Sequence, residues 1–120
     1  MTLRVPCSIG DLLDRITILR IKVQRCPATS VENVRRELAA LEACWGNEPE
    51  MAELSAVNLA LWEVEDRLRA LEAQGQFDQT FVADARSVYR LNDQRAAIKR
   101  QINLRLGSDL VEEKVHPEYR

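Results

Sequence analysis

Arg95 is the residue of this 120-residue chain best placed to do chemistry. At about 100° per residue it falls in the middle of an apolar stripe formed by Val88, Leu91, Ile98 and Ile102. An unpaired guanidinium in such a place is costly, so Arg95 must meet a carboxylate, reach water or hold an anionic ligand. Asn92 and Lys99 lie one turn on either side of it, and Asn58 and Glu65 flank the stripe of the preceding apolar segment. Glu65 is the expected partner. In one reading the pair is structural and fixes helix register. In the other, Arg95, Asn92 and Lys99 grip a small anion in a helical pocket, with Asn58 and Glu65 or Asp93 as polar partners. Arg86, Arg90 and Arg100 alternate with Asp84 and Asp93 near the outer face and are expected to be solvated.

Other chemistries lack a necessary part. His116 is the only histidine and sits beside Pro117 near the end of the chain, so histidine metal clusters and Ser–His or Cys–His nucleophiles are incomplete. Four glycines form no phosphate loop, no cofactor motif is present, and Cys7, Cys26 and Cys44 are too few and too scattered for a disulfide framework or a thiolate metal site. Charged residues inside helices invite comparison with the all-helical chorismate mutases, but the basic and acidic positions do not match one by one. A net charge of −2 with dispersed cations gives no nucleic-acid footprint. No apolar run approaches the roughly 18 residues of a membrane span, and Met1–Ile9 has no signal-peptide character, so a cytoplasmic location is expected.

The elements that must position these residues are helical. Ser8 with Asp11 opens a helix over about 8–26, stopped by Pro27. Thr29 and Glu32 have capping-box spacing, and Val31, Val34, Leu38, Leu41 and Trp45 continue a helix over 30–45 to Gly46. Asn47, Pro49 and Glu50 supply the start of a third helix, 49–74, whose Leu54, Val57, Leu61, Val64, Leu68 and Leu71 keep a heptad-like spacing up to Gly75. The fourth, 78–106, runs from Asp78 to Gly107, leaving a tail over 107–120. These elements predict a single mainly α domain over 1–120, a small antiparallel bundle built on a long hairpin of the last two helices. A short terminal β-pair between Leu3–Val5 and Leu110–Val115 is conceivable, weakened by Glu112, Glu113 and Lys114.

The first helix has two apolar faces, with Ile18 and Ile21 opposite Leu12, Ile16, Leu19 and Val23. Either it is central or a partner covers it. Asp14 and Thr17 share the Ile18–Ile21 face, which marks these four as interface candidates and makes a homodimer or a protein partner the expectation. The function expected first is a non-enzymatic dimerisation or interaction module, with a binding protein or enzyme for a small anion as the alternative.

The segments SIGDLLDRITILRIK (8–22), VNLALWEVEDRLR (57–69), ARSVYRLNDQRAAIKRQIN (85–103) and GSDLVEEK (107–114) together resemble a family of unknown function, DUF6165. The resemblance implies a bacterial protein, some of whose relatives occur alongside genes for cell-surface polysaccharide synthesis. It implies no activity and no catalytic residues.

Overall fold

The computed structural model describes residues 1–45 and 51–119. Four helices follow one another: α1 (Ile9–Arg25), α2 (Val31–Glu42), α3 (Met51–Gln74) and α4 (Gln79–Leu106). Helix α1 touches each of the other three, and α3 and α4 pack along each other as a hairpin. The two-faced pattern of α1 is therefore answered mainly within the chain. The core gathers Leu13 and Ile16 of α1, Met51 and Leu54 of α3 and Ile102 of α4. Leu38 and Leu41 of α2 close over this cluster, yet no residue of α2 is fully buried.

Most helix ends follow local cues. Ser8 Oγ accepts the Asp11 N–H at 3.1 Å, and α1 stops before Pro27, which cannot continue the ladder. Gly75 (φ 66°) and Gly107 (φ 71°) adopt the left-handed conformation that closes α3 and α4. Asp78 accepts the N–H groups of Thr80 and Phe81 at 3.1 and 3.2 Å. The Gln76 side chain and these backbone donors hold the Asp78 carboxyl below its ordinary 3.8. The stability that the cap supplies is thus present above that value and fades as pH falls below it. We expect Asp78→Ala to lower the melting temperature by a few degrees at pH 7, with the difference from wild type shrinking in acid.

Three expectations need correction. The Thr29 capping box does not form: the residue preceding α2 is Ser30, held at φ −107°, ψ −16° by a turn in which its N–H donates to Pro27 O. A side-chain cap needs extended backbone at that position, and Ser30 makes none. Helix α2 ends at Glu42, short of Gly46, because the Cys44 N–H turns back to Leu41 O. The Asn47–Pro49–Glu50 start signal and Gly46 itself lie outside the described residues. Finally, no strand is present among the described residues. The tail that was to pair with Leu3–Val5 is drawn onto α4 by the Lys99–Glu112, Arg100–Glu113 and Lys114–Asp93 ion pairs. A lone two-stranded pair has little stability to set against them.

Candidate functional site

Gly10, in the first turn of α1, sets the geometry. A Cβ there would stand 2.7 Å from Lys99 O and 3.0 Å from Asn103 Oδ1, so α1 and α4 cross with almost no space between them. The crossing is fastened by side chains from far along the chain. Asn103 Oδ1 accepts the Gly10 N–H at 2.7 Å and Ser108 Oγ accepts the Ile9 N–H at 3.1 Å. With Ser8 on Asp11, the first three N–H groups of α1 are satisfied.

One turn beyond the crossing, acids of α1 meet cations of α4. Asp14 faces Arg95 through two bonds, Nη2 to Oδ2 at 2.6 Å and Nε to Oδ1 at 3.0 Å. Asp14 is 3% exposed and Arg95 29%. Asn58 of α3 completes the cluster, its Nδ2 donating to Asp14 Oδ1 and to Thr17 Oγ1, both at 2.9 Å. Thr17 in turn donates to the Asp14 carbonyl at 2.7 Å, and Arg95 Nη1 reaches Asn92 Oδ1 at 3.3 Å. The hydrogen bonds that Arg95 donates to Asp14 hold its guanidinium above its ordinary value despite partial burial. Lys99, the next turn along, bridges Asp11 at 2.6 Å and Glu112 of the tail at 3.2 Å. Burial works to lower its proton affinity, but the bond and charge of Asp11, reinforced by Asp14 and Glu112, outweigh that and keep Lys99 raised.

Of the residues that sequence spacing groups together, Arg95 bonds Asn92 and shares Asp14 Oδ1 with Asn58, and the carboxylate between them is not the expected Glu65. Glu65 is exposed on α3 beyond the last buried residue of that helix, Val64, and it borders a small groove with Leu68 and Phe81. Asp14 takes its place. Asp14 and Thr17 are buried inside one chain and so are not surface interface residues, while Ile18 and Ile21 are half-buried. The signal that could have found Asp14 was the pairing of two spacings, Asp11 and Asp14 on one helix with Arg95 and Lys99 on another, beside a glycine that permits close approach. Asp93 points away from the cluster, to Lys114 Nζ and the Tyr119 hydroxyl, each at 2.7 Å.

The arrangement ties α1, α3 and α4 together through one carboxylate. Asp14 spends both oxygens on Arg95 and Asn58, so it is poorly placed to accept a proton from a ligand. Arg95 keeps only an edge toward an open groove of about 1310 Å³ between α4 and the tail. Among the described residues no group of three or more His, Cys, Asp or Glu side chains is placed to hold a metal ion, and no helix is long and apolar enough to cross a membrane.

No curated protein and no solved structure matches the chain. The profile of a family of unknown function, DUF6165, matches residues 3–118, nearly the whole length. The four sequence segments that resemble this family carry the α1–α4 crossing, the Asp14–Arg95–Asn58 cluster and the docked tail, and the chain belongs to DUF6165.

Proposed function

We propose that the protein is a non-enzymatic dimerisation module whose α3–α4 hairpin packs against the same hairpin of a second copy. One observation carries this reading. From residue 65 to residue 98, across the far half of α3, the turn and most of α4, no side chain is fully buried. At roughly 1.5 Å per residue, α3 (24 residues) and α4 (28 residues) reach well past α1 (17 residues), which leaves the end of the hairpin as a two-helix arm, α1 meeting α4 at Arg95 and the tail lying along α4 from Tyr89 onward. Leu68, Leu71, Phe81, Val88 and Leu91 keep the arm's seam only half-covered, and Phe77 is exposed at its tip. A paired arm would be a four-helix bundle, which buries such a seam completely.

The extent of the surface agrees. The chain exposes 8408 Å², whereas a compact monomer of 13.7 kDa exposes about 6600 Å². The surplus, about 1800 Å² on the one chain, exceeds the roughly 800 Å² that each partner gives to a standard interface. Its radius of gyration is 16.1 Å, against about 14 Å for a globule of this length. Charges on the arm are of mixed sign and close to balance, so two arms do not repel. Arg67 already clamps α3 to α4 through Asp84, at 3.1 and 3.2 Å, which presents the arm as a firm unit. Arg25 reaching Glu63 at 3.4 Å puts the end of α1, and with it half-buried Ile21, near the base of the arm.

A small anion is the weaker occupant for the groove over Arg95. Arg95, Lys99 and Lys114 line it against Asp93, Glu112, Glu113 and Glu118, an acidic balance even before Asp14 is counted. The three unpaired cysteines, Cys7 and Cys44 exposed, go with a reducing compartment, and we take the dimer to work in the bacterial cytoplasm.

Sedimentation at about 100 µM, where a micromolar interface is filled, is expected to give twice the 13.7 kDa chain mass. Leu68→Glu with Phe81→Glu is expected to give the single-chain mass with the helical circular dichroism retained. A wild type that sediments as one chain at that concentration removes the proposal.

A further inference from the structure

The tail is seated on α4 by ion pairs and the contacts of one tyrosine, and its attachment has the form of a bound ligand. Helix α4 carries Arg86, Arg90, Arg95, Lys99, Arg100 and Arg105 against only Asp84 and Asp93. The segment after it carries Asp109, Glu112, Glu113 and Glu118 against Lys114 and Arg120. It runs back along the helix. Glu112 meets Lys99 at 3.2 Å, Glu113 meets Arg100 at 3.1 Å, Lys114 meets Asp93 at 2.7 Å, and the Tyr119 ring packs edge-on against Tyr89 with centroids 4.8 Å apart.

None of the described tail residues is buried, and Glu112 and Glu113 stay 53% and 71% exposed in their ion pairs. Exposed pairs of this kind contribute little each, and less as salt rises. The fold does not need the contact either, because Lys99 keeps Asp11 when Glu112 leaves. A small anion entering beneath the tail meets the tail's carboxylates. A ligand that replaces the tail meets the cations those carboxylates held.

We infer that this face of α4 is a docking site for an extended acidic peptide segment of a partner protein, with two adjacent carboxylates and an aromatic side chain a few residues downstream, and that the chain's own tail is its built-in competitor. The two carboxylates take the place of Glu112 and Glu113 on Lys99 and Arg100, and the aromatic ring takes that of Tyr119 against Tyr89. A tethered segment competes at an effective concentration near millimolar, so the tail masks the site from weak ligands and yields to a partner that adds contacts of its own.

The test uses the full chain and a synthetic peptide of residues 109–119 bearing a fluorophore. Glu112→Ala/Glu113→Ala/Tyr119→Ala unhooks the tail. Fluorescence anisotropy is expected to show the peptide binding this variant about tenfold or more tighter than wild type. The affinity should fall as salt is raised from about 50 to 500 mM, and fall again when Arg100→Glu is added to the unhooked chain. Equal affinity for both chains overturns the inference. So does a scrambled peptide of the same composition that binds as tightly, or an absence of binding to the unhooked chain at about 1 mM peptide. Introducing Phe81→Glu in parallel separates this result from self-association, since the site lies wholly within one chain.

Discussion

Asp14→Ala is expected to lower the unfolding free energy by about 3 kcal/mol, the largest effect of any single polar truncation in this chain. The substitution removes the acceptor of two Arg95 bonds and one Asn58 bond at a place 3% exposed. Breaking a buried pair costs about 3–5 kcal/mol because the remaining charge stays behind. Arg95 keeps Asn92 and an edge toward the groove, which puts the effect at the low end. Arg95→Met alone strands Asp14 with Asn58. Asp14→Leu combined with Arg95→Met removes both charges, and such exchanges return most of the stability or exceed it. Urea denaturation of the two singles and the double gives the coupling energy directly. If Asp14→Ala lies within about 1 kcal/mol of wild type, the pair is not the fastening that its geometry describes.

Gly10→Ala is the second, and its sign is the test. In an open first turn the change would stabilise by up to about 1 kcal/mol, since alanine is the better helix former. Here the new methyl group would stand 2.7 Å from the Lys99 carbonyl, a backbone atom that cannot rotate away, and 3.0–3.2 Å from the Asn103 amide. Forcing atoms into a filled contact costs about 1–3 kcal/mol. The helices must part, which also stretches the Gly10–Asn103 bond and the Asp14–Arg95 pair one turn on. We expect a net loss of about 2 kcal/mol in thermal or urea unfolding. A gain in stability would mean that α1 and α4 stand further apart than described.

Much of the fold was legible because its cues are local. Ser8, Pro27, Gly75, Asp78 and Gly107 each act within one turn of themselves, and each ends or begins a helix where its chemistry says it should. The cue at Thr29 failed because Pro27 and Ser30 form a turn of their own, which puts the wrong backbone angles at the capping position. The importance of Arg95 was legible from helix phase, which gives the direction a side chain points relative to its own apolar stripe. Its partner was not. Phase says nothing about which neighbouring helix lies in that direction, and the choice between Glu65 and Asp14 was decided by how closely α1 crosses α4. That approach depends on a single missing methyl group at Gly10. The tail was misread for a related reason. As a strand, Leu110 to Val115 would pair with Leu3–Val5, but Glu112, Glu113 and Lys114 find their counter-charges on a helix and settle there.

The fastening of Ile9 and Gly10 by Ser108 and Asn103 spans 99 and 93 residues of sequence. More than ninety residues beyond the first turn of α1 must therefore be synthesised before Ser108 and Asn103 can reach it. Contacts of such long sequence separation close late, because the entropy of the intervening chain must first be overcome. The α3–α4 hairpin, made of neighbours in sequence, can assemble while synthesis continues. Helix α1 is then expected to lock after that hairpin, although it precedes it in the chain.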